Sequence, residues 1–268
     1  MSIPVVMSIA GSDSGGGAGV QADIKTFSSI GTYGTSVITA ITAQNSIGVS
    51  AIEELNIGVI EKQIDSVCSD MKPVAVKTGM LFSKEIITLV ANKAEKYGWK
   101  HLIVDPVMVA TTGDHLIKDD AVTTYIEELL PLSFAVTPNI PEATRLTGLE
   151  INSDSSLRKA AIEIHNFGVD NVIIKGGHDI SSPESIDTLY DGHKFTYEKL
   201  QRIDSNNTHG TGCSFASALT AYIAMGNNLK TSLKLAKHYV WSGIKTSYQV
   251  GEGNGPINHM WNNTELLK

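Results

Sequence analysis

The segment NNTHGTGCSFASAL (206–219) places a cysteine where a loop rich in glycine and threonine meets an alanine-rich stretch that favours a helix. At this junction Gly210, Thr211, Gly212 and Cys213 can point several backbone N–H groups at one spot, and the helix dipole adds partial positive charge there. The pattern therefore predicts an anion-binding site. The same field predicts that the pKa of the Cys213 thiol is lowered.

Three roles are open to Cys213: a covalent nucleophile, a residue that handles a proton in a phosphate loop, or a small buried filler. A cysteine-dependent phosphatase is disfavoured, because no arginine follows at the spacing that such loops use and Leu219 stands at the sixth position. Nearby His209 is interpreted as an ordinary loop histidine, and Cys68 as a filler on a helix face.

Two carboxylates and an amide follow predicted strands. Asp105 ends the apolar run LIVDP, and TPNIPEATRL sets Asn139 and Glu142 three residues apart at the start of a predicted helix. Taken alone, the Asn–Glu pair is explained by helix capping. Beside a phosphate loop, the same oxygen ligands indicate a Mg²⁺ site, with the metal held directly or through water.

Two lysines are candidates for phosphate contacts. Lys175 ends the apolar strand of NVIIKGG, where a charge is costly unless an anion pairs with it. A phosphate contact is favoured there over a scaffolding salt bridge. Lys237 lies on the last predicted helix, beside an apolar stripe, and either serves a phosphate or is simply solvated.

The glycine cluster GSDSGGGAG (11–19) fits neither a P-loop, which needs GxxxxGK[ST], nor the GxGxxG spacing of a dinucleotide site. A plain flexible turn is one interpretation. The other is a close approach of the backbone to a ligand, with Asp23 on the following helix facing inward.

Short apolar runs alternate with amphipathic stretches, an order that predicts an α/β fold with a mainly parallel sheet and helices on both faces. No repeat or linker divides residues 1–268, so we expect a single domain. Ligands of such sheets bind beyond the carboxyl ends of the strands, where the polar residues above are placed. Predicted strands cover 3–10, 36–42, 74–80, 101–107, 134–138 and 171–177, with a hairpin around Gly192 and helices that include 119–130 and 229–249.

The composition narrows the class of function. The chain has 268 residues, a net charge of −7, and two cysteines without paired spacing. The acidic balance argues against a nucleic-acid binder, and the cysteines argue against disulfides or a zinc site. We expect a cytoplasmic protein without a signal peptide or a membrane segment.

Eight segments in order resemble the hydroxymethylpyrimidine/phosphomethylpyrimidine kinases of thiamine biosynthesis, within the ribokinase-like superfamily. They are IAGSDSGGGAGVQADIKTF, VITAITAQNS, VKTGML, DPVMVA, TPNIPEA, IIKGGH, NTHGTGCSFASAL and GEGNGPINH. The resemblance implies a three-layer αβα fold, a homodimer and two successive MgATP-dependent phosphorylations. The first acts on 4-amino-5-hydroxymethyl-2-methylpyrimidine, and the second converts its monophosphate to the pyrophosphate.

The resemblance also implies roles for individual residues. Gln44 would read the pyrimidine edge, since a primary amide offers both a donor and an acceptor. Cys213 would take the hydroxymethyl proton, where many ribokinase-like sugar kinases carry an aspartate. Thr111 and Thr112 depart from the lysine–serine pair expected there. The remaining assignments are Ala18, Asp23, Met80 and Val107 to the pyrimidine pocket; Lys175, Thr208, Thr211 and Lys237 to the ATP phosphates; and Asp105, Glu142 and Asn139 to Mg²⁺.

Three other functions stay open. A pyridoxal or pyridoxine kinase would share the scaffold and the loop, and Gln44 favours the aminopyrimidine over it. A non-catalytic pyrimidine sensor would not need Cys213, Lys175 and Glu142 together. An NAD-linked oxidoreductase is disfavoured by the failed glycine spacing.

Overall fold

The computed structural model describes residues 3–108, 121–177 and 182–262. Thr111 and Thr112 lie outside these ranges. Within them, the strands form one sheet in the order β3-β2-β1-β4-β5-β6-β7-β8-β9. The strands are β1 (Val5–Asp13), β2 (Tyr33–Gln44), β3 (Val49–Glu54), β4 (Ala75–Thr78), β5 (Leu102–Val104), β6 (Ala135–Val136), β7 (Val172–Ile174), β8 (Glu184–Tyr190) and β9 (Phe195–Gln201).

The six central strands, β2-β1-β4-β5-β6-β7 in sheet order, are parallel. At the edges, β3 pairs with β2, β8 with β7 and β9 with β8 in the antiparallel sense. Helices cover both faces, as the strand–helix alternation predicts. They are α1 (Gly19–Ile30), α2 (Ile57–Asp70), α3 (Lys84–Tyr97), α4 (Ala121–Thr124), α5 (Ile140–Thr147), α6 (Asp154–Asn166), α7 (Thr211–Ala224) and α8 (Leu229–Lys245).

The central strands are apolar on both faces because each face is covered. In β5, Leu102 and Val104 pack with the helices α2 to α6, whereas Ile103 between them packs against α7 and α8. On the same side as α7, Phe27 of α1 packs with Ala75 of β4. Because successive side chains of such a strand are buried on opposite faces of the sheet, its sequence is a continuous apolar run. The predicted three-layer fold is confirmed.

Several element boundaries follow from glycine. Gly31 and Gly98 end α1 and α3 in the left-handed conformation, with φ of 99° and 61°, which glycine adopts without strain. The predicted hairpin is present as β8 and β9, with Gly192 at φ 82° in its turn.

Some predicted elements are too long, since the last helix ends at Lys245 and not at 249, and the strand predicted over 134–138 covers Ala135–Val136. Two further elements differ in kind from prediction. Edge strand β3 was not predicted; its sequence VSAIEE is half polar and largely exposed, so it lacks a clear apolar pattern. The segment predicted as a helix at 119–130 is described from Ala121, where α4 passes into a π-helical turn over Tyr125–Leu129 and a 3₁₀ turn over Leu130–Leu132. Across the described ranges, no helix combines the length and the apolar character needed to cross a bilayer.

Candidate active site

A cavity of about 670 Å³ opens at the carboxyl ends of the parallel strands. It extends from the loop after β1 and the end of β2 to the start of α7 and one face of α8. The predicted site residues on its wall are Ala18, Gln44, Met80, Asp105, Val107, Asn139, Glu142, Lys175, Thr208, Gly210, Thr211, Gly212, Cys213 and Lys237. The structure therefore brings the predicted site residues together around one cavity, with the exception of Asp23.

The first turn of α7 is shaped by two glycines. Gly210, the N-cap, has φ 77°, and a Cβ there would lie 1.8 Å from the carbonyl oxygen of Gly17. A Cβ at Gly212 would lie 3.5 Å from Nζ of Lys175. The positive end of the helix and a lysine ammonium therefore face the same space, an arrangement that favours an anion.

The prediction of a lowered pKa for Cys213 is wrong. Burial of the thiol raises its pKa to about 11, although the Lys77 ammonium acts in the opposite direction. The carboxylates of Asp23 and Asp105 raise the pKa further. Loss of solvation and two negative charges thus outweigh the Lys77 ammonium and the N–H of Gly19. Cys213 keeps some exposure to the cavity, but the thiol is protonated at neutral pH.

Lys175 lies between two carboxylates. Its Nζ is 2.7 Å from Oδ1 of Asp105 and 3.9 Å from Oε2 of Glu142. Thr137 donates to the same oxygen of Asp105 at 3.0 Å. Burial disfavours the Lys175 ammonium, but Asp105 and Glu142 hold the pKa of Lys175 above its usual range. The salt-bridge alternative for Lys175 is therefore confirmed, and the phosphate contact stays a prediction.

Asn139 and Glu142 form a capping box at the start of α5. The Asn139 side chain accepts from the Glu142 N–H at 2.9 Å, and Oε2 of Glu142 accepts from the Asn139 N–H at 2.7 Å. Burial raises the pKa of Glu142 to about 7; Lys175 opposes this shift, and Asp105 adds to it. The capping interpretation is confirmed, and the metal-binding role stays a prediction.

The carboxylates fit a magnesium ion that is shared with a phosphate ligand. Asp105 and Glu142 offer hard oxygen atoms beside the same ammonium. In the ranges that the structure describes, no cluster of three or more metal-ligating side chains occurs. Mg²⁺ commonly takes one or two carboxylates together with substrate phosphates and water.

Lys237 is buried, so the solvated alternative is wrong. Its Nζ lies 2.9 Å from Oδ2 of Asp187 on β8, and it also borders the cavity. Asp187 accepts from the N–H of Gly176 at 3.0 Å as well. The ion pair therefore ties α8 and β8 to the loop after Lys175.

Asp23 is not on the cavity wall. It is fully buried; its carboxylate pairs with the Lys77 ammonium at 2.8 Å and accepts from the hydroxyls of Ser8 and Ser217. The prediction that Asp23 lines the substrate pocket is therefore wrong. Its partners lie on β1, β4 and α7, so the network joins these elements beneath the site.

Sequence reasoning missed the pair Asp13 and His209. The Asp13 carboxylate accepts from the N–H groups of Gly15, Gly17 and Ala18 at 2.8–3.0 Å and from Nε2 of His209 at 2.9 Å. The glycine cluster is therefore folded around one carboxylate and is not a plain flexible turn. Although burial opposes it, hydrogen bonding to His209 and Ala18 lowers the pKa of Asp13. An aspartate before a run of glycines is the sequence signal for such a turn.

A family model described as phosphomethylpyrimidine kinase matches residues 13–258. The chain belongs to this family. The family match spans every site segment described above. It confirms the predicted family and identifies the protein as a kinase.

Two curated relatives extend the comparison. A hydroxymethylpyrimidine/phosphomethylpyrimidine kinase of Bacillus subtilis (strain 168) is 46% identical over 97% of this chain and 96% of that protein. The thiamine biosynthesis bifunctional protein ThiED of Geobacter sulfurreducens is 49% identical over 95% of this chain. The match spans only 52% of that longer protein.

Solved structures show the same fold. The pyridoxal kinase of Staphylococcus aureus in complex with AMP-PCP and pyridoxal superposes with a TM-score of 0.91 at 38% identity, over 98% of this chain and 96% of that one. A phosphomethylpyrimidine kinase of Clostridium difficile 630 gives a TM-score of 0.80 at 43% identity, over 91% of this chain and 100% of that one. The ribokinase-like fold is thus shared with kinases for two kinds of ring.

Proposed function

We propose that the protein transfers the γ-phosphoryl group of ATP to 4-amino-5-hydroxymethyl-2-methylpyrimidine and then to the resulting monophosphate, yielding the pyrophosphate for thiamine diphosphate synthesis. Family membership supports this function. ATP is the phosphoryl donor, in keeping with the ATP-analogue complex of the related pyridoxal kinase. Both steps have the same donor and the same type of chemistry.

The observation that carries the proposal is the continuity of the cavity. One space of about 670 Å³ connects the amide of Gln44 to the first turn of α7 and to Lys175. A primary amide matches the amino group and ring nitrogen of an aminopyrimidine. A helix terminus with a lysine matches a phosphoryl group in transfer. The two ends of this cavity are therefore suited to the two reactants.

Phosphate binding falls to the residues around α7. The N–H groups of residues 210–213, the hydroxyls of Thr208 and Thr211, and the Lys175 ammonium neutralise the phosphates, with Lys237 at the far side. Asp105 and Glu142, with Asn139 nearby, hold Mg²⁺. The metal neutralises phosphate charge when it is bound. Since Lys175 already lies between the carboxylates, its ammonium is in place before ATP arrives.

Acceptor binding falls to the opposite end. Gln44 reads the aminopyrimidine edge, and Ala18, Met80 and Val107 provide apolar contacts for the ring. With its pKa raised to about 11, the Cys213 thiol is protonated at pH 7. Cys213 therefore orients the hydroxymethyl group as a neutral thiol, and the hydroxyl proton passes late in a loose transition state to an oxygen of the transferred phosphoryl group.

Further expectations rest on the family resemblance and the composition. The protein is a single-domain homodimer in the cytoplasm, and its partners are small molecules rather than nucleic acid or membrane. The net charge of −7 supports the absence of nucleic-acid binding.

Pyridoxal is the second candidate acceptor, favoured by the TM-score of 0.91 to a pyridoxal kinase. Replacing Gln44 with leucine separates the two functions. Gln44→Leu should lower kcat/KM for the hydroxymethylpyrimidine at least tenfold and leave the KM for ATP unchanged, because the amide contacts only the acceptor end. Full pyrimidine turnover by Gln44→Leu would remove the basis for the pyrimidine assignment.

A further inference from the structure

His209 is held from several sides at the junction of three segments. Its backbone N–H donates to the carbonyl oxygen of Gly255 at 3.0 Å, and it forms an isolated parallel β-bridge with Pro256. Its ring packs against Gly17, where a Cβ would lie 2.4 Å from Cδ2 of the imidazole. Only 9% of the side chain is exposed. The imidazole is therefore fixed in position, unlike that of an ordinary loop histidine.

The contact with Asp13 sets which nitrogen carries hydrogen. The carboxylate of Asp13, whose pKa is lowered, is an acceptor only, so Nε2 of His209 donates to it across 2.9 Å. In the structure Nε2 of Gln44 lies 3.4 Å from this nitrogen of His209, and exchanging the oxygen and nitrogen of the amide leaves the shape of the Gln44 side chain unchanged. Because this nitrogen already carries hydrogen, it cannot accept from an amide N–H. We therefore assign the carbonyl oxygen of Gln44 to the side that faces His209, as the second and weaker acceptor of the Nε2 hydrogen that Asp13 also accepts.

Thr42 supports the same orientation from the other side. Its hydroxyl donates to the carbonyl oxygen of Ser12 at 2.9 Å, and its Oγ1 lies 3.1 Å from Oε1 of Gln44, the position that the amide nitrogen takes in the exchanged orientation. A hydroxyl whose single hydrogen is used accepts from an amide N–H. With the oxygen towards His209 and the nitrogen towards Thr42, no amide N–H faces the N–H of His209, and the single Nε2 hydrogen is shared between Asp13 at 2.9 Å and Gln44 at 3.4 Å.

We propose that His209, oriented by Asp13, is a positioning residue that determines acceptor specificity by fixing the Gln44 amide. One N–H and one carbonyl lone pair of Gln44 then remain for the acceptor, in a defined order. An aminopyrimidine, with an acceptor ring nitrogen beside a donor amino group, satisfies both. The inference rests on the proposed function and assigns a role to a residue outside the phosphate-transfer chemistry.

A double-mutant cycle tests whether His209 acts through Gln44. In the otherwise wild-type protein, His209→Leu should lower kcat/KM for the hydroxymethylpyrimidine about tenfold, as expected when an oriented hydrogen bond is lost. In the Gln44→Leu protein, the same change should lower kcat/KM less than twofold. The KM for ATP should stay within twofold in both proteins. His209→Gln, which keeps an N–H donor, should recover most of the loss.

A second variant guards against loss of folding in His209→Leu. Thr42→Val keeps the side-chain shape and removes the other partner of the amide, so it should lower pyrimidine kcat/KM about fivefold, again only when Gln44 is present. His165→Gln is the matched control, because His165 packs on Tyr190 away from the cavity; it should change neither kinetic constant. Melting temperatures establish that each variant is folded.

The outcomes separate the two claims. If the wild-type protein shows no pyrimidine turnover, both the proposed function and this inference fail. If the wild-type protein turns over the pyrimidine, two results overturn the inference alone. One is an equal loss of pyrimidine kcat/KM from His209→Leu in the wild-type and the Gln44→Leu proteins. The other is a parallel rise in the KM for ATP, which would show that His209 stabilises the start of α7 and does not act through Gln44.

Discussion

Lys175 and Asp105 form a largely buried ion pair, with 2.7 Å between Nζ and Oδ1, next to the first turn of α7. A Cβ at Gly212 would lie 3.5 Å from that ammonium and 3.9 Å from Oδ2 of Asp105. The pair therefore borders the space that the helix terminus makes favourable for an anion. A phosphate that enters meets an ammonium already in position.

Removing the ammonium should impair phosphoryl transfer much more than folding. We expect Lys175→Met to lower kcat/KM for ATP about a hundredfold, because a positioned charge at the transferring group is lost. The measurement is coupled ADP release, with the melting temperature as a check of folding. Lys199→Met is the matched control, since Lys199 is exposed on β9 and its Nζ lies 3.9 Å from Oε2 of Glu184. A loss of less than threefold in Lys175→Met would contradict the assignment.

Alanine substitutions at Gly210 and Gly212, at the start of α7, should have different effects on folding and on ATP binding. Gly210→Ala should destabilise the protein, since φ is 77° and the new Cβ would lie 1.8 Å from the carbonyl oxygen of Gly17. The Gly212→Ala protein should fold normally, but its KM for ATP should rise at least tenfold. The new Cβ would enter the space beside Lys175 that we assign to a phosphate. Thermal melts and ATP kinetics on both variants test this contrast. Unchanged ATP kinetics in Gly212→Ala would place the phosphate elsewhere.

The Cys213 thiol should titrate far above neutral pH. Since burial raises its pKa to about 11, alkylation by iodoacetamide should be slow at pH 7.5 and should accelerate only as the pH approaches 10. Mass spectrometry of the modified peptide gives the rate, and Cys213→Ser corrects for reaction at Cys68. Cys213→Ser should also keep kinase activity within tenfold. Rapid alkylation at pH 7.5 would instead show that Cys213 is a thiolate at neutral pH, as a base for the hydroxyl proton must be.

His259 should make the protein less stable in mild acid. Burial, with Lys25 and His209 nearby, lowers the pKa of His259 from 6.5 to about 4, and its Nε2 lies 3.1 Å from Oγ of Ser214. Between these pH values the unfolded chain binds the proton and the folded protein does not, so stability falls as the pH drops from 6.5 towards 4. The loss is on the order of 3 kcal/mol.

Urea unfolding at pH 7.5 and pH 5 measures this effect. The quantity to compare is the change in unfolding free energy between the two pH values, not the absolute stability. His259→Gln should reduce that change, because the substituted side chain does not titrate. An equal pH dependence in His259→Gln and in the wild-type protein would assign the acid sensitivity to other groups.

The parts of the site that could be predicted are encoded locally. Gly210 to Cys213 stand at a recognisable junction of loop and helix, and Lys175 stands out because it ends an apolar strand. The hairpin around Gly192 and the alternation of strands and helices are equally local patterns. Strand order then brings these segments to one edge of the sheet.

The parts that were missed depend on partners distant in sequence. The resemblance assigns Asp23 to the pocket, and the chain does not show that its carboxylate pairs with Lys77, 54 positions away. His209 was interpreted as a loop residue because Asp13 lies 196 positions before it. The pKa of Cys213 was predicted in the wrong direction because the helix field is local, whereas its burial and the charges of Asp23 and Asp105 come from the tertiary fold.

The most direct test of the central claim is ADP release from MgATP with three acceptors in parallel: the hydroxymethylpyrimidine, its monophosphate and pyridoxal. We predict turnover of both pyrimidines, with kcat/KM for each exceeding that for pyridoxal. Turnover of pyridoxal alone would contradict the pyrimidine assignment, although the fold and the phosphate chemistry would stand.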